Sequence, residues 1–225
     1  MKTCVISQSN YIPWKGYFQM IAQADVFVFY DVVQFTKRDW RSRNKIMTPR
    51  GPVWLTIPVG GNRDRRIDEV ILPDGEWRQN HIETIRRIYS YSDHIDDLRY
   101  MLEPIFEDRE IILLSEFNQA IIRNISEYLE IDTVFMNASD FDIEGERTER
   151  LIGICKEINA DVYLSGPSAQ NYIKNEFDDS GIELKWMEYG PFKEYEQCGP
   201  IFSHEVSIVD TIAVLGKNTI KQIIQ

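Results

Sequence analysis

Apolar residues along the chain follow two rhythms. Short unbroken apolar runs bounded by polar or turn residues predict strands at 3–7, at 25–31 ("DVFVFYD") and at "VWLTIPV", which Pro58 helps to close. "IDEVIL" (67–72), "TVFMNASDF" (133–141), "DVYLSGPSA" (161–169) and "IELKWMEY" (182–189) continue the series. Spacings of three and four predict helices at 14–24, in "ERTERLIGICKEINA" and from "DGEWRQNHIETIRRIYSYS" onward, where Trp77, His81, Ile85 and Ile88 share a face. Asp74 is in place to cap that helix. Residues 95–130 are mostly helical by pattern, 36–50 read as irregular or hairpin-like, and "GGNRDRR" (60–66) reads as a turn with mobility. "SIVDTIAVLGKNTIKQII" predicts a C-terminal helix broken near Gly216.

Strands alternating with helices point to an α/β fold: a largely parallel, Rossmann-like sheet with flanking helices and a mostly helical middle segment. Ligands of such sheets sit outside the strands' carboxyl ends. Polar residues concentrate there. The strand at 3–7 runs into Ser7, Gln8, Asn10, Tyr11 and Trp14, where a connection needs only a turn and a cap. The strand at 25–31 ends in Asp31 and Gln34, followed by "TKRDWRSRN". "LSGPSA" brings Ser165, Gly166 and Ser168 to the start of a helix "AQNYI", whose N–H groups can bind an anion or merely make a turn. The spacing is not that of a P-loop. The expectation is one pocket built from these exits.

Composition narrows the partners. At 225 residues, 43% hydrophobic and 27% charged, the chain has the make-up of a globular protein able to bury a real core, read here as a single domain over 1–225. No run is long enough to span a bilayer, and "MKTCVISQS" lacks a signal peptide's apolar stretch, so the cytoplasm is the expected compartment. Cys4, Cys155 and Cys198 are odd in number and widely spaced, against a disulfide framework or zinc site. Neither metal nor cofactor is expected.

A net charge of −11 argues against nucleic-acid binding. The basic residues nevertheless cluster between 37 and 66, with Trp40 among them and Trp54 alongside. A local basic island in an acidic protein suits a small polyanion such as a nucleotide diphosphate. Arg41 and Arg43 offer bidentate contacts to phosphate, and Trp40 a face for a base or sugar. The competing reading is a solvated charged face.

Five segments in order, "ISQSNYIPWKGYF", "ADVFVFYDVVQFTKRDWRSRNKI", "VWLTIPV", "YLSGPSAQNYI" and "HEVSIVDTI", resemble the WbqC-like protein family over essentially the whole chain. The resemblance implies a bacterial protein of surface-polysaccharide (O-antigen) biosynthesis. It implies transfer of an acyl or aminoacyl group from a carrier thioester, such as an acyl carrier protein, to the amine of a nucleotide diphosphate amino sugar. Many members read "HQP" where this chain reads "SQS", so no histidine role applies at Ser7 to Ser9. A looser likeness to pantothenate-synthetase-like nucleotidylyltransferases lacks their paired histidines and bears on fold alone.

Under that reading Asp31 and His204 are the candidate bases for the amine, with His81 third. Asp31 has the alternative of an ion pair with Arg41 or Arg43, and His81 that of a core histidine. Gln34 is an amide suited to a sugar hydroxyl, and Gln197, with Tyr195 in "YEQCGPIF", belongs to a loop that either closes over a ligand or covers an apolar edge. Cys155 reads as a buried core residue; Cys198, in a loop, is the more accessible thiol. The rival functions are a non-catalytic sugar-nucleotide or carrier-protein binding module, and a nucleotidyltransferase-like enzyme.

Overall fold

Four consecutive buried residues, Val26–Phe29, show why the central sheet is parallel: apolar side chains on both faces require helices on both sides. The computed structural model describes residues 1–145, 148–173 and 175–224. In chain order the elements are β1 (Thr3–Ser7), α1 (Lys15–Ala22), β2 (Val26–Phe29), β3 (Arg43–Thr48), β4 (Gly51–Thr56), α2 (Trp77–Ile88), α3 (Ile95–Glu107) and α4 (Leu114–Tyr128). Then follow β5 (Val134–Asn137), α5 (Thr148–Glu157), β6 (Val162–Ser165), β7 (Glu183–Trp186), α6 (Ile208–Leu215) and α7 (Ile220–Ile223).

Five strands form one sheet in the order β5-β2-β1-β6-β7, every neighbouring pair parallel, beside a separate antiparallel β3–β4 hairpin. The fold is thus the α/β arrangement expected, with a helical middle at α2–α4. Side-chain alternation splits the core in two. Val5, Phe27 and Phe29 join the larger cluster with α1 and α2–α4, whereas Cys4, Ile6, Val26 and Val28 face the other way, against α5. Going along the chain, the sheet grows outward from β1 through β2 to β5, then returns to the other side of β1 with β6 and β7. The order reverses between β1 and β6. That is where the carboxyl ends of two neighbouring strands diverge and leave a crevice.

Some predicted boundaries move, for local reasons. The helix foreseen at 14–24 closes at Ala22, and the strand around 53–59 is Gly51–Thr56 within the hairpin that 36–50 foreshadowed. "IDEVIL" is not a strand: Ile67–Glu69 is a 3₁₀ turn, because the Glu69 carboxylate accepts the Arg66 N–H at 2.7 Å and bends the chain. Only an isolated bridge, Ile71 to Leu113, remains of the predicted pairing. Asp74 caps nothing; α2 starts after Glu76 with no side-chain cap. The C-terminal break falls at Gly216 as predicted. Its φ is +54°, which favours glycine, and a Cβ there would meet the His94 ring at 2.4 Å and force that ring to shift.

Candidate functional site

The loop leaving β1 is fixed by buried hydrogen bonds before it reaches the cleft. Asp31, at the end of β2, is only 3% exposed; its carboxylate accepts the Ser9 N–H at 2.8 Å and the Gln119 side-chain amide at 3.2 Å. Burial pushes the Asp31 carboxyl above its usual range, opposed by these donors. The Tyr17 hydroxyl donates to the Gln8 carbonyl (2.9 Å), and the Asn44 amide donates to the carbonyls of Tyr11 (3.2 Å) and Ile12 (2.9 Å). The Tyr11 N–H donates to the Trp40 carbonyl at 2.9 Å, tying the β1 exit to the segment after β2.

His81 belongs to this scaffold. Its Nδ1 lies 2.8 Å from the buried Tyr11 hydroxyl, its other hydrogen bond is to the backbone of Thr56, and burial lowers its pKa to about 4. At neutral pH the ring is neutral and serves Tyr11; Trp77 packs on His81, and Phe106 and Phe117 pack on Tyr11. This is the core-histidine alternative, away from the cleft.

Above this scaffold, at the β1/β6 reversal, lies a cleft of about 940 Å³. Its walls are aromatic: Trp14, Trp40, Tyr17, Tyr30, Tyr172 and Tyr189. Polar groups come from Gln8 and Asn10 after β1, from Ser165 at the end of β6, and from Gly166 and Ser168 just beyond it. Among the described lining residues Arg41 is the one that carries a charge; none is a carboxylate, imidazole, amine or thiol. The Arg41 guanidinium is held by Asp39 at 3.0 Å and by the Gln8 side-chain oxygen. Burial acts to raise Asp39, yet Arg41, Thr36 and the Trp40 N–H together hold it below the usual carboxylate range. A guanidinium backed in this way still offers further N–H donors to an anion.

The remaining predicted residues lie outside the cleft. The Arg43 guanidinium stacks 4.1 Å from the centre of the Trp54 ring, and Trp54 in turn packs on Trp40 (5.6 Å) at the cleft's outer lip. Gln34 is exposed and donates to the Arg63 carbonyl (3.2 Å). Much of the basic island is engaged at the surface: Arg66 with Asp68 and Glu69, and the Arg65 guanidinium with the Val59 carbonyl. Asp31 pairs with neither Arg41 nor Arg43 among the described ion pairs. The segment after Gly166 is a five-residue 3₁₀ turn, Pro167–Asn171, too short to act as a helix N-terminus for an anion.

His204 and Gln197 sit in a second polar group, under the irregular segment 188–205. There Asp210, fully buried, accepts from the hydroxyls of Tyr195 (2.7 Å) and Tyr89 (3.0 Å) and from the Gln197 amide (2.5 Å). Lys15, 1% exposed, stands over the rings of Phe192, Tyr195 and Phe202, and burial lowers its pKa to about 8. His204 packs on Phe192 and Phe202; burial, then Lys15, lowers its pKa. Phe192 packs on Trp14 (5.8 Å), so an aromatic wall separates His204 from the main cleft. The Cys198 thiol points to the Met47 carbonyl, while Cys4 and Cys155 are buried.

Sequence reasoning missed the tyrosine walls and the Lys15–Asp210 group. Tyr30 and Tyr189 carried a readable signal, since each stands at the carboxyl end of a run predicted as a strand. Lys15 carried none: a lysine at the start of an amphipathic helix normally points to solvent.

No helix among the described residues is long and apolar enough to cross a membrane, and no group of three His, Cys, Asp or Glu is placed to hold a metal ion. No solved structure matches the chain. An uncharacterised protein of Mycobacterium tuberculosis is 37% identical over 219 residues, 96% of this chain and 95% of that protein. The profile of one family matches residues 8–222, from the β1 exit to the last helix, and the chain belongs to the WbqC-like protein family.

Proposed function

We propose that this chain is a transferase of bacterial surface-polysaccharide biosynthesis, moving an acyl or aminoacyl group from a carrier thioester to the amine of a nucleotide diphosphate amino sugar. One observation carries the reading. The cleft lies at the strand-order reversal of a parallel sheet, and its one formal charge among the described lining residues is a guanidinium set in aromatic walls. That combination suits a ligand with planar or ring faces and a diphosphate.

The neutral amine attacks the thioester carbonyl, a C–N bond forms as the C–S bond breaks, and the carrier leaves as a thiol that takes up the proton given up by the amine; bringing nucleophile and carbonyl together supplies much of the rate. Arg41 anchors the diphosphate, Trp40 and the tyrosines take the ring faces, and Gln8 and Asn10 orient the reacting end. Asp31 enters as a positioning residue, holding the Gln8–Asn10 turn through Ser9. His81 positions the same loop through Tyr11, and His204 packs behind Trp14.

The test is turnover of an acyl-carrier thioester with an amino-sugar nucleotide by the purified protein, together with calorimetry of the nucleotide sugar. Arg41→Met should weaken binding by about 10- to 100-fold, the worth of a charge-assisted hydrogen bond. Unchanged affinity would remove the cleft from the reading. The second reading is a binding module without chemistry, favoured by the lack of a carboxylate, imidazole, amine or thiol among the described residues lining the cleft. Tight binding with no turnover for any thioester donor would select it.

A further inference from the structure

A smaller cavity of about 360 Å³ opens beside the main cleft and shares Asn10, Trp14 and Trp40 with it. Pro13, Asn44 and Glu205 complete it. We propose that this annex is a subsite for a primary ammonium group, borne by a ligand whose anionic end rests on Arg41. This deepens the function proposed above and rests on it only for the anionic end; the ammonium is the bound resting form of the amine, which becomes a nucleophile only after it gives up a proton.

Three features of the annex converge on an ammonium. The Asn10 side-chain oxygen is buried and has no hydrogen-bond partner among the described residues, so it lacks a donor at the wall common to both cavities. Asn44, by contrast, is fully engaged by the backbone of Tyr11, Ile12 and Lys45 and is not free to serve a ligand. Glu205 is the one charged residue among the described residues lining the annex, and it is a carboxylate. The remaining wall is Pro13 and two indoles, the side chains that attract cations most strongly through their faces. An ammonium has three donors and no acceptor. It therefore brings three donors to a wall that holds the Asn10 oxygen and the Glu205 carboxylate, whereas a hydroxyl in its place has a single donor.

Lys45 is the competing cation. Its ammonium is 3.9 Å from Glu205, at the outer limit of an ion pair, with the Glu205 side chain largely in solvent, and it also stands over the Trp54 ring at 5.3 Å. A pair this open holds Glu205 weakly. The two cavities consequently differ in polarity, a guanidinium in the large one and a carboxylate in the small one. A ligand bearing both an anion and an amine is oriented by that difference alone.

The experiment uses intrinsic tryptophan fluorescence and calorimetry with glucosamine 1-phosphate, glucose 1-phosphate and uridine diphosphate. Wild-type protein should prefer glucosamine 1-phosphate over glucose 1-phosphate by about tenfold, as expected for an ammonium held by a carboxylate and an indole face. Glu205→Gln should erase most of that preference while leaving uridine diphosphate affinity unchanged, and Asn10→Leu should erase most of it as well. Equal affinity for the two sugar phosphates, binding of neither, or a preference that survives in both variants overturns the proposal. Loss of uridine diphosphate binding in Arg41→Met tests the anionic end separately. If that variant binds uridine diphosphate normally but the amine preference depends on Glu205, the nucleotide reading fails and the annex stands.

Discussion

Replacing Asp31 separates two roles that a sequence reading leaves entangled: a base for the reaction, and a post holding the β1 exit loop. Its carboxylate is 3% exposed and accepts the N–H of Ser9, itself fully buried, at 2.8 Å. Asp31→Ala leaves that N–H without an acceptor, a loss of about 1–3 kcal/mol. Removing a carboxyl whose ionised form burial disfavours offsets part of this, so about 1–2 kcal/mol is expected. In a chain of this length that lowers Tm by roughly 2–8 °C. Asp31→Asn keeps an oxygen for Ser9, and the Gln119 amide can turn its own oxygen toward the new amide. Stability near neutral pH should then stay within about 0.5 kcal/mol of wild type.

The sign of the pH dependence follows from the raised carboxyl. The native state binds the Asp31 proton more tightly than the unfolded chain does, so wild-type stability from this group grows as pH falls toward the ordinary carboxylate value. It is lost as pH rises through the folded value. The wild-type minus Asp31→Asn difference, measured by urea unfolding across that window, should therefore fall with rising pH. Under the positioning role, nucleotide-sugar affinity drops in the Ala variant and turnover survives in the Asn variant. Two results refute the reasoning: equal destabilisation by Asn and Ala, or loss of turnover in Asn with binding intact, which would make Asp31 the base.

His81 should show the opposite pH behaviour. Its lowered pKa of about 4 means that the native state favours the neutral ring, so its stabilisation is complete above the unfolded value near 6.5 and lost as pH falls toward 4. The loss is on the order of 3 kcal/mol; a His81→Gln variant with an equally steep acid limb in urea unfolding would contradict it. Gly216→Ala meets both a φ of +54° and the His94 ring at 2.4 Å, so a loss of at least about 1 kcal/mol is expected from calorimetric melting. A Tm equal to wild type would mean that the α6–α7 corner adapts freely.

The fold was legible where one physical cause dominated. Val26–Phe29 can be buried on both faces only inside a covered sheet, so its pattern announces a parallel strand. "IDEVIL" has a strand's composition, yet one side-chain contact, Glu69 to the Arg66 N–H, tips it into a 3₁₀ turn. Composition averages over a segment and cannot register a single capping bond. The 3–4 spacing likewise located α2, but the cap assigned to Asp74 depended on a backbone path that spacing does not encode.

The site was legible at the level of strand exits and illegible at the level of direction. Gln8, Asn10, Trp14, Trp40, Arg41 and Gly166 follow β1, β2 and β6, Ser165 ends β6, and all of them line the cleft. Arg43 lies two residues beyond Arg41 and stacks outside on Trp54, because it opens β3 while Arg41 precedes it. Asp31, at a strand exit as good as any, turns inward to Ser9. The carboxyl-end rule places a residue near the ligand, but the turn after the strand decides whether its side chain meets the ligand or holds up the residues that do. A buried carboxylate with two donors already in place belongs to the second kind, and so does a neutral imidazole serving a buried tyrosine. Among the described residues, the aromatic walls, the Arg41 guanidinium, the amides of Gln8 and Asn10 and the hydroxyls of Ser165 and Ser168 are the groups left lining the cavity, and any chemistry done there must begin with them.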